Sequence, residues 1–333
     1  MIKRRWLFWL LAAALSVFFA EVISGSSAFA FFDAWGLLVI LPLYGLHLLV
    51  LASFIYKRAR PSWPALFLAG ALFGLYEAYI TKVLFLPPWD LRLPFAGVDL
   101  LAITTLVLWW HPFISFILPL GLAEYLGTSS RDVAAALPAG LRRLFGRRWL
   151  QFSLAGLLGW MQASSMPAGG GLLAGLGGLA IVGGLTWLWR RQAGAKQALA
   201  DLLPSGRTQT ILLSLLVFYY VWTTIFLRPE VIPGLGAQLI IWLIYAFFIW
   251  ALHRALQQAA EQTRPVVTPR PIDGVRVAEV AFVYLLSSFL CGYLPPDFKT
   301  LSFAVNILFG SLIGLFVLFR AVASLGPLKE SAS

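Results

Sequence analysis

The sequence predicts an all-α fold, a polytopic integral membrane helix bundle of about ten transmembrane helices with both termini in the cytoplasm. Three observations predict it. First, 60% of the 333 residues are hydrophobic and only 12% are charged, for a mean hydropathy of +0.84. An ordinary soluble domain is about 45–50% apolar and about 25% charged. Second, the apolar residues fall into runs of about 17–23, the length that crosses a hydrocarbon core of about 30 Å. Third, the 25 Lys and Arg are sorted by side.

Ten runs read as spans: 6–23, 36–56, 64–86, 100–121, 149–165, 172–189, 211–227, 235–252, 277–294 and 301–319. With the N-terminus placed in the cytoplasm, 21 Lys and Arg fall in cytoplasmic segments. Arg92, Arg228 and Lys299 fall on the opposite side, and Lys82 lies inside a span. That split obeys the positive-inside rule and orients the chain in the cell membrane. The net charge of +11 is then topology plus contact with anionic lipids at the cytoplasmic face, not a nucleic-acid footprint. The single cysteine, Cys291, can form no internal disulfide.

The first span follows Lys3, Arg4 and Arg5 and precedes Ala28-Phe29-Ala30, a pattern similar to a signal peptide with an A-x-A cleavage site. Glu21 and about nine residues separate the apolar run from Ala30, which is long for a cleavage region. The run is therefore read as a retained helix, and cleavage would leave nine spans in the same orientation. The second span carries His47 near its middle. The third carries Glu77 roughly 15 Å below its outer edge, at about 1.5 Å per residue. It also carries Gly70, Gly74 and Ala78 at four-residue spacing. The fourth carries His111 at the same level, then Pro112, which withdraws a backbone donor and bends the helix. Trp109 and Trp110 sit mid-span beside it. The fifth is short and runs into Pro167 and three glycines. The sixth has small residues at Gly171 and Gly175 and at Ala180 and Gly184, and the tenth at Gly310 and Gly314. Such faces let helix backbones approach closely. The stretch AGGGLLAGLGG is therefore packing surface, since the lysine and strand context of a phosphate loop is missing.

No polar segment is long enough to bury a core, so 1–333 is a single transmembrane domain without a soluble one. The cytoplasmic loop 128–148 leads into LRRLFGRRWL, which puts Leu141, Leu144, Phe145 and Trp149 on one helical face. Arg142, Arg143, Arg147 and Arg148 lie mostly off that face, the pattern of an interfacial amphipathic helix in the headgroup region. Residues 263–271 are proline-rich and read as an extended linker. Ten spans could form two inverted sets of five, but the ionisable groups crowd into the first four and no matching marks recur.

A charge at the bilayer centre costs about 2.5–3.5 kcal/mol, so such groups face one another or a wet cavity. His47, Glu77 and His111 share one depth in three consecutive spans. Nearer the outer surface lie Glu21, Lys82 and Asn306, from the first, third and tenth spans. Lys82 is about 140° around the helix from Glu77, so the two cannot form a standard i,i+4 pair, and Lys82 could pair with Glu21 instead. The expectation is a polar cavity open outward, with both histidines and Glu77 at its floor. The same six residues would form a substrate or proton pathway. No catalytic residue or cofactor site is assigned. If a metal binds, its ligands are His47, Glu77 and His111, because two imidazoles and a carboxylate form a three-ligand zinc set. Structural roles are the alternative. Glu77 would be interhelical glue, each histidine a neutral core residue bonded to a carbonyl, and Lys82 a snorkelling anchor. Glu124, His253, Arg254 and Glu279 lie at cytoplasmic span ends, within reach of solvent or headgroups, and Asp33, Asp90 and Asp99 on the outer side.

The segments AEVISGSSAFAFF, PLYGLHLLVL and GLYEAYITKVLF resemble those of a family of uncharacterised prokaryotic multi-pass membrane proteins, over the first quarter of the chain. The resemblance implies a multi-pass fold and no assigned activity. Glu77 and Lys82 also have the spacing of the first Glu and the Arg in the Glu-Glu-x-x-x-Arg motif of prenyl-protein-type membrane proteases. Ala78 and Lys82 replace the second Glu and the Arg, and the histidine motifs do not follow, so no catalytic role is carried across. There is no H-E-x-x-H, G-x-S-x-G or Walker motif. Three functions fit: a small-solute carrier, proton-coupled through Glu77 and a histidine; an intramembrane metal-dependent enzyme; or a non-catalytic scaffold or accessory subunit.

Overall fold

The computed structural model describes residues 2–58, 61–167, 169–193, 197–261 and 272–326. The expected linker at 263–271 lies outside the described residues. Each of the ten expected spans is helical over most of its length, though the third stops at Ile80, short of the expected end at residue 86. α1 (Ile2–Val17) continues into a π-wound turn, Phe18–Val22. α2 opens as a π turn at Gly36–Ile40 and runs on through Leu41–Arg58. α3 is Trp63–Ile80, started by Ser62, whose Oγ accepts from Ala65 N, and by Pro64 in the first turn. α4 has three parts: Leu100–Ala102, a π-wound Ile103–Ile117, and Leu118–Gly127. Asp99 caps it, accepting from Ala102 N at 2.7 Å, and closes a small hairpin by accepting from Leu93 N at 2.9 Å. Asp33 does the same for α2, accepting from Gly36 N at 2.6 Å.

Two short helices follow at the basic end, α5 (Asp132–Ala136) and α6 (Ala139–Phe145). Then come α7 (Arg148–Ser164), α8 (Gly170–Ala193), the short α9 (Leu199–Leu202) and α10 (Gly206–Phe226). α11 (Leu235–Glu261), α12 (Gly274–Cys291) and α13 (Pro296–Ala323) complete the chain. Among the described residues nine helices are long and apolar enough to cross a membrane. α7, the expected fifth span, is shorter at 17 residues.

The four N-terminal spans form the centre, with windows 56–78% buried, against 11–29% for α8 and α10–α13, whose outer faces are apolar and exposed. Loops expected on one side meet one another. At the basic end Trp189 Nε1 donates to Gly127 O, Arg254 Nη2 to Gly326 O, and Arg276 Nε to Gln151 Oε1. At the other end Arg228 reaches Thr81 O, Ser165 reaches Ser24 O, and Lys299 reaches Met166 O.

The small-residue faces act as the spacing predicts, with one exception. A Cβ on Gly70 would lie 2.5 Å from Pro112 Cα, and one on Gly74 would lie 2.9 Å from Val107 Cα and His111 Cβ, so α3 lies directly on α4. Gly171 and Gly175 meet Ser288 and Tyr284 of α12, while Gly310 and Gly314 meet Trp109 and Leu108 of α4. The exception is Ala180 and Gly184. A Cβ on Gly184 would meet nothing within 4 Å, and both residues line an open apolar groove with Leu10, Ile181 and Leu188.

The amphipathic loop helix also differs from expectation. It is broken at Gly146 and Arg147, the latter extended, so Trp149 belongs to α7 and not to the helix carrying Leu141, Leu144 and Phe145.

Candidate functional site

Glu77 and His111 meet. Gly74, one turn before Glu77, lets α3 approach α4 closely enough for Glu77 Oε2 to lie 3.3 Å from His111 Nε2. His111 is buried, and the Glu77 side chain is 14% exposed. His111 sits in the π-wound part of α4, and its Nδ1 lies 3.0 Å from Leu106 O, five residues back. Pro112 has no N–H for the corresponding carbonyl of Val107, which fits the wider winding here. A carbonyl only accepts, so Nδ1 of His111 carries a hydrogen. That leaves Nε2 facing a carboxylate oxygen. If Nε2 and Glu77 were both bare, two lone pairs would oppose each other in a low-dielectric interior. A proton on Glu77 or on Nε2 would let one group donate to the other.

Glu21 lies in the π turn that ends α1. Its Oε1 accepts from Tyr44 Oη at 2.5 Å and its Oε2 from Ser26 Oγ, and Ser26 is exposed. Tyr44 reaches toward the pair, its ring stacked at 6.4 Å from that of His111. A polar series thus runs from Ser26 at the surface through Glu21 and Tyr44 toward His111 and Glu77.

The other expected members are elsewhere. His47 is buried near the site but stacks on Phe73 at 4.4 Å, and Phe73 in turn lies 5.3 Å from His111. Its Nδ1 is held by Leu43 O at 2.8 Å. Both imidazoles contact the Phe73 ring, and no group of three His, Cys, Asp or Glu spaced to hold a metal occurs among the described residues. The set His47, Glu77 and His111 does not close as a ligand shell.

Lys82 corrects the expectation most sharply. α3 ends at Ile80, and Lys82 turns back in a left-handed conformation, φ 59°. It neither snorkels nor pairs with Glu21. It is buried at 2% exposure, and Nζ donates to Ile80 O and to Thr223 O, Thr224 O and Leu227 O at the C-terminal end of α10. That end carries orphan carbonyls and the negative pole of the helix dipole, which an ammonium satisfies. Arg228, itself left-handed at φ 50°, returns the contact by donating to Thr81 O and Leu86 O beyond α3. Asn306 is also outside the site, its Oδ1 accepting from Trp109 Nε1 at 3.0 Å.

Two polar features escaped the sequence reading, and a third sits differently from its expected place. Tyr44 is the contact of Glu21, and nothing in its spacing marks it. Gln162, fully buried in α7, donates to Val22 O and accepts from Tyr284 Oη at 2.6 Å and Ser288 Oγ at 3.0 Å. An amide deep in a short span was the available signal. Glu124, expected within reach of solvent, is buried at 1% exposure and accepts from Asp132 N, Val133 N and Ser130 Oγ, holding the start of α5.

Two clefts stand apart from the expected outward cavity. The larger cleft, about 360 Å³, opens at the basic end among Ser62, Trp63, Ala135, Gln258 and Ser324. The second is the apolar groove beside Gly184. Neither is lined by Glu21, His47, Glu77 or His111.

Fold and site together define a polytopic helical membrane protein in which a part-buried carboxylate meets a buried imidazole. The chain belongs to the family described as an uncharacterized membrane protein family, which it matches over residues 10–329. The match thus extends far beyond the first quarter that carries the resemblance. An uncharacterized protein of Archaeoglobus fulgidus is 38% identical over 248 residues, covering 74% of this chain and 77% of that one. No solved structure matches.

Proposed function

We propose that the protein is a small-solute carrier of the cytoplasmic membrane, its basic end inward, in which Glu77 and His111 exchange a coupling proton. The observation that carries this reading is the 3.3 Å approach of Glu77 Oε2 to His111 Nε2, with Nδ1 already committed to Leu106 O. In this reading the pair binds or releases the coupling proton. Two features support a moving element. The π-wound stretch of α4 is a winding often found at functional sites. The Ser26–Glu21–Tyr44 series offers the proton a route to the outer surface. The metal-enzyme reading has less support, since no metal-spaced group of three His, Cys, Asp or Glu occurs among the described residues. A scaffold role keeps one supporting observation, the tight Gly70 and Gly74 contact that the pair could simply fasten.

The test is uptake by proteoliposomes under an imposed pH gradient, with radiolabelled amino acids, carboxylates, amines and sugars as probes. The expected result is gradient-driven uptake of one class, lost in Glu77→Gln and His111→Gln. Uptake indifferent to Glu77→Gln, or no gradient-driven uptake of any probe, overturns the proposal.

A further inference from the structure

At the basic end α6 presents Leu141, Leu144 and Phe145 on one face, all exposed, and Trp149 at the start of α7 is 60% exposed beside them. Spacings of three and four residues put the first three on a single stripe. Around the stripe the side chains of Arg143, Arg147 and Arg148 are exposed and make no hydrogen bond or ion pair among the described residues. The segment is nonetheless firmly held. Gln151 Nε2 donates to Phe145 O at 2.7 Å, Arg276 Nη2 to Gly146 O at 3.1 Å, and Arg276 Nε to Gln151 Oε1 at 2.6 Å. Those bonds cover the carbonyls at the C-terminal end of α6, the groups that would repel an anion. The neighbouring carboxylate, Asp273, is engaged in capping α12, its Oδ1 accepting from Arg276 N.

We infer that α6 and the start of α7 form a docking surface for the anionic phospholipid headgroups of the adjoining leaflet. The charge decides the occupant. Three free guanidiniums match phosphate geometry, and the apolar stripe between them sits at the end of membrane-spanning helices, where an acyl boundary is at hand. The inference stands whether or not the protein carries a solute.

A spin label tests it. A Cβ on Gly140 would meet nothing within 4 Å, so Gly140→Cys in a Cys291→Ser background carries the label without displacing a neighbour. The protein is placed in nanodiscs of phosphatidylcholine alone or mixed equally with phosphatidylglycerol. The expected result is greater collision with oxygen and less with an aqueous nickel complex when phosphatidylglycerol is present. High salt reverses the shift, and Arg143→Gln/Arg147→Gln/Arg148→Gln abolishes it. Equal accessibility in both lipids overturns the inference, as does a shift that persists in the triple variant. A label in water in both membranes overturns it too and points to a soluble partner. Should the triple variant fail to fold, the wild-type lipid and salt comparison decides alone.

Discussion

Replacing Lys82 by methionine keeps the length of the stem and removes the ammonium. Of the four carbonyls that Lys82 Nζ reaches, Thr223 O already accepts from Leu227 N, so the loss falls on Ile80 O at 3.1 Å, Thr224 O at 2.7 Å and Leu227 O at 2.5 Å. Three hydrogen bonds from a charged donor, at about 1.5–3 kcal/mol each, set a ceiling of about 9 kcal/mol. Methionine also relieves the burial of a charge at 2% exposure, which offsets part of that loss. We expect a net destabilisation of about 2–3 kcal/mol. Arg228→Met is the comparison. Its bonds to Thr81 O and Leu86 O are 3.0–3.4 Å long and partly exposed, so about 1 kcal/mol is expected. The assay is reversible unfolding in mixed micelles by denaturing detergent, read by circular dichroism. If Lys82→Met is as stable as wild type, or costs less than Arg228→Met, the capping role is wrong.

Three other substitutions probe the same core. Gly74→Val should prevent the folded state from accumulating, since even its Cβ would lie 2.9 Å from Val107 Cα, and size-exclusion recovery will report it. Gln162→Leu strands Tyr284 Oη and Ser288 Oγ and should cost about 2–3 kcal/mol in the same unfolding assay. Glu124→Gln keeps one acceptor oxygen but replaces the other by an amide donor facing backbone N–H groups; about 2 kcal/mol is expected, with faster hydrogen exchange at Asp132 and Val133.

Depth was legible from the sequence because rise per residue is fixed, so Glu77 and His111 could be set at one level by counting. Their meeting was half legible, since the Gly70–Gly74 face implied a close neighbour on the Glu77 side without naming it. Azimuth was not legible where helices depart from ideal winding. The π segments of α1 and α4 rotate Glu21 and His111 away from their α-helical positions, and the turn after Ile80 sends Lys82 back toward α10. His47 shows the same limit, because which ring two imidazoles both contact depends on the packing of three helices. Glu124 shows another. A carboxylate at a span end reads as solvated until the following loop folds over it.

The central claim is that Glu77 and His111 hold one proton between them. Infrared difference spectroscopy across a pH titration tests it most directly, comparing wild type with Glu77→Gln and His111→Gln in the same lipid. The account predicts a carboxyl signal that disappears in Glu77→Gln and changes frequency in His111→Gln. A carboxyl spectrum identical in wild type and Glu77→Gln, or a Glu77 signal indifferent to His111→Gln, would contradict it.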